Sequence, residues 1–306
     1  MKSNSIGIIG MGWVGSSVAI SILNSGICKE LLVNDVNEAV AEGEAMDLNH
    51  GSSFYPTAEV KACSIKEMIH CSAIVVTAGR GGKPTESRLS LLKDNVTIAK
   101  SISGQLKCFN GILIVVSNPV DVLTYFFQKF TGLPAGRVIG TGTMLDTARL
   151  REMIGRKIDV DPKNIHANVI GEHGDSEVTV WSRAMIGNIP LRTWKGWDLE
   201  VEPIISEQVR TSAYEIIKRK GSTNHAIGLV TATLLKWILR GDKRIVSVST
   251  VLKSISGYEN VAISLPSLIS ENGVEEVIYP ELSEEENRLF ENSLSVINKA
   301  IKEVEY

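Results

Sequence analysis

The chain has 306 residues, of which 43% are hydrophobic and 22% are charged, and its formal net charge is −3 at pH 7. This length can form two domains or one large one with a substantial core. The balanced charge gives no reason to expect nucleic acid or an anionic membrane as a partner. No apolar run is long enough to span a bilayer.

The first residues and the cysteines indicate the compartment. Residues 1–4 lead directly into a predicted strand, with no secretory signal or transit peptide. The four cysteines, at positions 28, 63, 71 and 108, show no Cys-x-x-Cys spacing. That pattern favours reduced thiols over disulfides or metal ligands. We therefore expect a cytoplasmic protein without a metal site.

A glycine-rich turn follows the first predicted strand, which is the apolar run at residues 6–9. Gly10, Gly12 and Gly15 have Gly-x-Gly-x-x-Gly spacing and lead into an apolar helix. They permit, in order, a tight turn, close approach of a pyrophosphate, and close packing of helix on strand. The free N–H groups of the helix N-terminus suit phosphate. Taken alone, the spacing is equally compatible with an ordinary glycine-rich turn.

An acidic residue ends the second predicted strand. Asp35 follows the apolar run at 30–34 and stands about twenty residues after Gly15, where a ribose-binding acid is expected. It could also be a plain strand-end residue, but strand, turn, helix, strand and acid are all in order, which favours a nucleotide site. Val36 and Asn37 follow rather than arginine. A carboxylate there would repel a 2′-phosphate, so the sequence predicts NAD rather than NADP.

Strand and helix patterns alternate through the first half of the chain. This alternation is typical of a parallel sheet covered by helices on both faces. Strands are predicted at 59–62, 72–77, 111–116 and 137–139, and helices at 38–48, 66–69, 89–106 and 122–130. The alternation ends near Thr143. We therefore expect an α/β domain at 1–142 and a second domain at 143–306.

Polar residues follow the predicted strands at the edge where open α/β sheets bind ligands. The loop at 80–88 contains two glycines and a proline, and its composition fits either a lid over a site or a solvated connection. Asn118 is a strand-end amide that could contact a ligand or serve as a turn residue. Asp146 and Arg149 share one helix face, which by itself indicates only an ion pair.

The second half is less regular and predicts an α+β domain. A strand is expected at 165–170, followed by His173 between Gly171-Glu172 and Gly174, where a ligand could approach it. Trp194 and Trp197 are interpreted as packing or interface residues. Helices are expected at 203–218, 226–239 and 283–303, with antiparallel strands at 243–251 and 261–265.

Together these motifs resemble the L-lactate/malate dehydrogenase family along essentially the whole chain. The matching segments are Gly10–Gly15, Asp35, Thr77-Ala78-Gly79, Arg88-Leu89, Ser117-Asn118-Pro119, Asp146-Thr147-Ala148-Arg149 and Gly171-Glu172-His173-Gly174-Asp175. Within the family, residues 172, 175–177, 181–182 and 220–223 look like the lactate branch. The resemblance implies an NAD-binding Rossmann domain, with a doubly wound parallel sheet, followed by the catalytic domain.

The resemblance also assigns catalytic roles. His173 would donate a proton when a keto acid is reduced, and its ordinary pKa lies near working pH. Asp146 would orient that ring and stabilise its charged form. Arg149 would hold the substrate carboxylate in a bidentate fork, and Arg88 would polarise the reacting carbonyl. The resemblance also places Asn118 near the reacting oxygen and Thr223 on the pocket wall.

The resemblance implies a larger set of NAD-binding residues. They are Gly10, Gly12, Trp13, Val14, Gly15, Asp35, Thr77, Ala78, Gly79, Asn95, Ser117 and Asn118.

The loop departs from the family pattern where the substrate side chain is recognised. Gly82 stands where the lactate branch carries glutamine and the malate branch arginine, and Thr85 stands where a hinge glycine is usual. Without an arginine, the second carboxylate of malate would lack a partner. The expected activity is therefore an L-lactate dehydrogenase, with a hydroxyisocaproate-type dehydrogenase for bulkier 2-keto acids as the alternative. A catalytically silent NAD-binding protein is an alternative of another class.

The resemblance suggests two further properties. Arg151 and His166 match positions at which bacterial lactate dehydrogenases bind fructose 1,6-bisphosphate between subunits. Taken singly, the arginine is as readily a surface helix residue and the histidine a strand residue. The family commonly forms tetramers or dimers, so a homo-oligomer is expected.

Overall fold

The structure, a computed structural model, describes residues 4–81 and 87–305, and the side chain of Arg88 is outside that description. Eight α-helices lie in the described part. They are α1 (Trp13–Ser25), α2 (Glu38–His50), α3 (Arg88–Gln105), α4 (Val120–Thr131), α5 (Met144–Ile158), α6 (Val201–Lys220), α7 (His225–Arg240) and α8 (Glu284–Glu305). None of these helices is long and apolar enough to cross a membrane.

The strands of the same part are numbered in chain order. They are β1 (Ser5–Ile9), β2 (Glu30–Asn34), β3 (Glu59–Ala62), β4 (Ala73–Val76), β5 (Ile112–Val115), β6 (Val138–Gly140), β7 (Ile165–His166), β8 (Val169–Ile170), β9 (Val178–Thr179), β10 (Met185–Ile186), β11 (Ile189–Pro190), β12 (Arg244–Ile255), β13 (Tyr258–Ser270) and β14 (Gly273–Val277).

The predicted doubly wound parallel sheet is confirmed. Strands β1 to β6 pair in parallel in the order β3-β2-β1-β4-β5-β6. Their carboxyl ends therefore meet at one edge. The direction in which successive strands are added to the sheet reverses between β1 and β4, which creates a crevice there. Strands β4, β5 and β6 are fully buried because helices cover both faces of the sheet, whereas the edge strand β3 is partly exposed.

The sheet continues into the second half of the chain. The antiparallel strands β12, β13 and β14 extend it beyond β6, with Ser249 of β12 paired with Gly140 of β6. Helix α7 packs in the apolar core on one face of the sheet, with Leu235 and Ile238 buried beside α1. Helix α8 packs on the other face, where Leu294 is buried beside α4. The two halves therefore share one sheet and its cores.

A third apolar cluster lies away from the sheet, between α5 and α6. It is built around Leu150 and Val209, and Trp194 and Trp197 pack against it. The ring centroids of Trp181 and Trp197 are 5.9 Å apart. The prediction that Trp194 and Trp197 are packing residues is confirmed.

The single strand predicted at 165–170 is wrong. The segment forms two short strands, β7 and β8, which pair with different partners. Between them the carbonyl of Ala167 accepts a hydrogen bond from Arg151 Nε at 2.9 Å, and Asn168 O accepts the N–H of Val180 at 3.0 Å. The two strands therefore belong to different ladders.

Other boundaries differ in extent rather than in type. The helix predicted at 66–69 is a 3₁₀ helix, Ile65–His70. The hairpin formed by β12 and β13 is longer than the strands predicted at 243–251 and 261–265, and β14 was not predicted. Charged and polar side chains at the solvent ends of these strands interrupt the alternation of apolar and polar residues by which a strand is predicted from the sequence.

Candidate active site

The glycine turn has the geometry that its spacing predicts. Gly10 has a φ of 101°, which favours glycine, and a Cβ at Gly15 would overlap the carbonyl oxygen of Gly10. At Gly12 the position of a Cβ is open space. Helix α1 begins immediately afterwards, so its free N–H groups face the crevice at the carboxyl edge of the sheet.

The carboxylate of Asp35 is held in place at the end of β2. Its Oδ2 accepts the N–H of Met11 at 2.8 Å and its Oδ1 accepts the N–H of Asn37 at 3.0 Å. These bonds fix an anion at the rim of the crevice. A ribose diol can donate to it, whereas a phosphate would be repelled.

A cavity of about 860 Å³ follows the carboxyl edge of the sheet from Asp35 to Gly79. Six of the predicted NAD-binding residues border it, namely Gly10, Gly12, Asp35, Thr77, Ala78 and Gly79. Two apolar side chains of α3, Ile98 and Ile102, form the opposite wall. A flat base can rest on such a wall, so the residues present fit a dinucleotide.

The other predicted NAD-binding residues occupy supporting positions. Trp13 is 62% exposed, Val14 packs against the core, and Gly15 fits under Gly10. Ser117 Oγ donates to the carbonyl of Ala78 at 2.6 Å. These four residues do not border the cavity. Gly15 packs against Gly10 and Ser117 bonds to Ala78, so these two residues support segments that do border it.

Asn95 joins two segments at the end of this crevice. Its Oδ1 accepts the N–H of Arg80 at 2.9 Å, and its Nδ2 donates to the carbonyl of Asn118 at 3.2 Å. The side chain is 3% exposed. Neither Asn95 nor Asn118 borders the 860 Å³ cavity. Asn95 therefore holds the start of the polar loop against the end of β5.

One buried carboxylate brings together the predicted catalytic residues. Asp146, in the first turn of α5, accepts from His173 Nδ1 at 2.6 Å through Oδ2 and from Arg149 Nη1 at 2.7 Å through Oδ1. Its side chain is 2% exposed, against 14% for Arg149 and 24% for His173. The predicted shared helix face is confirmed, and burial excludes a surface ion pair.

The charges of this cluster set its proton affinities. Burial disfavours a charged imidazole, but the carboxylates of Asp146, Asp121 and Glu177 outweigh it and raise the pKa of His173 to about 9. Burial likewise disfavours the Asp146 anion, but His173 and Arg149 hold the pKa of that carboxyl below its ordinary value. The ring is therefore protonated near neutral pH. Because Nδ1–H bonds to Asp146, Nε2 is the atom that can give a proton away.

Two buried acids near His173 were missed by the sequence analysis. Asp121 Oδ2 accepts the backbone N–H of His173 at 2.7 Å. Glu177 is 6% exposed, and burial together with the charge of Asp146 raises its pKa to about 8. The signal for Asp121 was an acid directly after Asn118-Pro119-Val120, and Glu177 belongs to the run 175–177 that looks like the lactate branch but received no role there.

A second cavity, of about 270 Å³, lies beside His173. It is bordered by Pro119 and Asp121 at the start of α4, by Tyr214 of α6 and by Ile297 of α8. Thr223 is half-buried in the turn before α7. Three positions named above, Gly82, Thr85 and the Arg88 side chain, lie outside the described residues.

The two residues proposed for an effector lie on neighbouring elements. His166 is exposed on β7, whereas Arg151 of α5 is partly buried. Arg151 donates to Ala167 O at 2.9 Å and to Asn168 Oδ1 at 3.2 Å. Its guanidinium is thus held close to the strand that carries His166.

Comparison with known proteins gives a consistent result. Residues 4–140 match the family model of the lactate/malate dehydrogenase NAD binding domain, and residues 143–306 match the alpha/beta C-terminal domain of the same family. An L-lactate dehydrogenase of Fervidobacterium nodosum is 45% identical over 310 residues, which is 98% of each chain.

Solved structures agree with these matches. A lactate dehydrogenase from a Medee basin deep-sea metagenome library is 38% identical, with a TM-score of 0.96 over 100% of both chains. A minor L-lactate dehydrogenase of Enterococcus mundtii, in a ligand-bound form, is 37% identical, with a TM-score of 0.96 over 99% of both chains.

We predict that Asp146→Asn lowers the proton affinity of the neighbouring histidine. Removing the charge that bonds to Nδ1 should lower the pKa of His173 from about 9 by about 1–3 units. The imidazole C2–H resonance followed by NMR against pH measures this shift, and His173→Gln identifies the signal. The control is Asp47→Asn, an exposed acid on α2. A titration unchanged by Asp146→Asn would contradict the assignment.

The same shift makes stability depend on pH. Because the pKa of His173 is raised above its ordinary 6.5, the protonated ring stabilises the fold fully below pH 6.5, and that contribution is lost as pH rises through about 9. The excess unfolding free energy of the wild type over Asp146→Asn should therefore shrink between pH 6.5 and pH 9. Urea unfolding at several pH values measures it.

Proposed function

This chain belongs to the lactate/malate dehydrogenase family, and we propose that it is an NAD-dependent L-2-hydroxy acid dehydrogenase that interconverts L-lactate and pyruvate. The observation that carries the proposal is the pair of bonds from Asp146. They hold a proton donor, His173, and a cation suited to a carboxylate, Arg149, in one cluster. A 2-keto acid needs both groups close together.

The cofactor is NAD. The glycine turn leaves open space at Gly12 and a fixed anion at Asp35, which match a pyrophosphate and a ribose diol. NAD supplies the hydride acceptor and donor for the reaction. The chain itself supplies the cavity along Thr77, Ala78 and Gly79, whose lining would hold the cofactor.

His173 acts as the general acid and base. In the direction of keto acid reduction it gives the Nε2 proton to the oxygen of the substrate, and in the reverse direction it takes that proton back. Asp146 holds Nδ1–H at 2.6 Å, which fixes the ring orientation and stabilises the charged form. The proton that leaves Nε2 later returns from solvent.

Arg149 binds the substrate carboxylate. Asp146 accepts from Nη1 at 2.7 Å, so the orientation of the guanidinium is fixed and its remaining N–H groups are available to a carboxylate. Arg88 polarises the reacting carbonyl, Asn118 hydrogen-bonds near it, and Thr223 lines the pocket wall. These last three roles are supported by the family resemblance alone.

Gly82 supports a second candidate substrate class. It offers neither the amide of the lactate branch nor the cation of the malate branch, so bulkier 2-keto acids of the 2-ketoisocaproate type would meet no side chain at this position. A silent NAD-binding protein is less well supported, because it would have no need to keep Asp146 bonded to both His173 and Arg149.

We also propose a setting and a regulation for the enzyme. The enzyme would act in the cytoplasm in fermentation, at the end of glycolysis, as a homotetramer or homodimer. Fructose 1,6-bisphosphate would bind where Arg151 and His166 of two subunits meet. The support is a guanidinium held near an exposed imidazole, both groups that bind phosphate.

We predict that Arg149→Lys weakens substrate binding without loss of the fold. A lysine keeps the charge but cannot form the two-pronged bond, so the KM for pyruvate should rise about ten- to a hundredfold. The dissociation constant for NADH should not change. Arg156→Lys is the matched control, because Arg156 lies on the same helix with its side chain 80% exposed. A KM within about twofold of the wild type ends the assignment.

We predict shallow discrimination by substrate size. Each methylene in an apolar pocket is worth only about 1–3 kcal/mol, so pyruvate and 2-ketoisocaproate should both be reduced. Gly82→Gln should narrow the range toward pyruvate and Gly82→Arg should favour oxaloacetate. NADH absorbance with a panel of keto acids measures this.

The neighbouring Gly81 is the control for this series, because a Cβ there would contact none of the residues that the structure describes. Gly81→Gln should leave the substrate range as it is. A wild type that prefers pyruvate by several orders of magnitude contradicts the role of Gly82. A wild type that reduces no 2-keto acid contradicts the enzyme itself and favours the silent NAD-binding protein.

We predict that fructose 1,6-bisphosphate lowers the KM for pyruvate, because its binding would stabilise the assembly in which Arg151 and His166 of two subunits meet. The coupling should be about 1–3 kcal/mol. Arg151→Gln and His166→Asn should abolish it, whereas Arg156→Gln should not. A flat rate, together with no heat of binding in calorimetry, contradicts this site.

A further inference from the structure

Asp121 is a buried acid that the proposed mechanism leaves without a role. It is the second residue of α4 and is 2% exposed. The positive end of the helix dipole favours an anion there. A carboxylate this deep needs hydrogen-bond partners, because an unpaired buried charge is strongly destabilising.

The partners of Asp121 come from the loop that carries His173 and from β13. Oδ2 accepts the backbone N–H of His173 at 2.7 Å, and Oδ1 accepts from Ser264 Oγ at 3.4 Å. Ser264 lies on β13 and is fully buried. Its oxygen also accepts the N–H of Thr143 at 3.2 Å, and Thr143 directly precedes α5, which carries Asp146.

Ser264 is bonded to the histidine loop through its backbone as well. Its carbonyl accepts the N–H of Gly171 at 2.9 Å, and its N–H donates to the carbonyl of Gly171 at 3.1 Å. A Cβ at Gly142 would overlap Ser264 Oγ, and Gly142 has a φ of 48°. A glycine is therefore needed at 142 for this close approach.

The network connects the three segments on which the site is built. Asp121 belongs to the start of α4, His173 to the loop after β8, and Thr143 to the start of α5. Asp121 and Ser264 together bond to the other two segments. Besides the direct bond between His173 Nδ1 and Asp146, these two buried side chains therefore link the segments that carry the two residues.

Asp121 also contributes charge. Its carboxylate, with those of Asp146 and Glu177, favours the protonated ring of His173. The groups that face Asp121 in turn are His173 and Glu172. Asp175, Tyr214 of α6 and Glu303 of α8 border the same cavity. Burial raises the pKa of Asp121 to about 6, so it is an anion at neutral pH.

We propose that Asp121 is a positioning residue for His173, which it holds by the backbone N–H and whose protonated ring it stabilises by its charge. The consequence for turnover rests on the dehydrogenase function proposed above. The geometry and the effect on the ring do not depend on it.

Two substitutions separate charge from position. Asp121→Asn keeps the shape, an oxygen for the N–H of His173 and an amide that can donate to Ser264 Oγ, but removes the charge. Ser264→Ala keeps the charge but removes the bonds to Asp121 and to the N–H of Thr143. The matched control is Ser267→Ala. Ser267 is also fully buried on β13, and its hydroxyl bonds only to Leu265 O, at 3.0 Å, within the same strand.

The first readout is the NMR titration of the His173 ring in the chain without substrate. Asp121→Asn should lower its pKa by about one unit, whereas Ser264→Ala, which keeps the charge of Asp121, should move it less and Ser267→Ala should not move it. The second readout is pyruvate reduction against pH. The alkaline limb of Asp121→Asn should lie about one pH unit lower, because the protonated ring is the acid.

The third readout is turnover. Ser264→Ala should lower kcat about ten- to a hundredfold, since His173 and Asp146 are no longer held in register, with the NADH dissociation constant unchanged. Ser267→Ala should match the wild type in both. A His173 titration that is the same in Asp121→Asn and the wild type overturns the proposal. Because Asp121→Asn is isosteric, we expect this variant to fold, and its His173 titration can therefore test the proposal.

The two proposals fail in different ways. If the wild type reduces no 2-keto acid, the proposed activity is wrong, but the NMR titration still decides the role of Asp121. If the wild type is active and the ring titrates alike in both proteins, Asp121 has only a structural role.

Discussion

The site depends on one buried carboxylate. Asp146 is 2% exposed and bonds at the same time to His173 and Arg149. A carboxylate at that depth is stable only with good partners, and two cations without it would repel each other. The same group therefore orients the ring, keeps it protonated and fixes the guanidinium. Acid–base chemistry and carboxylate binding are coupled through it.

Asp146 can have this role because the two halves of the chain share one sheet. Helix α5 begins just after β6, and β12 extends the sheet by pairing with β6. The crevice that fits the dinucleotide and the segments that carry the catalytic cluster thus belong to one rigid framework. Helices α7 and α8 cover its two faces, so the second half of the chain also stabilises the first.

Local patterns were sufficient for much of this fold and site. The glycine turn depends on backbone conformation and close approach within residues 10–15, so the spacing of its glycines is enough to predict it. Asp146 and Arg149 share a face because of the helical period. The strand at 165–170 was predicted wrongly, because its two ends pair with different strands, β10 and β9. No property of residues 165–170 alone reports those partners.

The sequence by itself determined the parallel sheet, the dinucleotide turn and the identity of the polar residues at the sheet edge, since each depends on residues near one another in the chain. Only the tertiary structure decided that Asp121 lies under the peptide of His173, that Ser264 connects β13 to the start of α5, and that Asp146 is buried. The bond between Ser264 and Asp121 joins residues 143 positions apart. Burial, and the proton affinities that follow from it, arise only when the distant segments pack together.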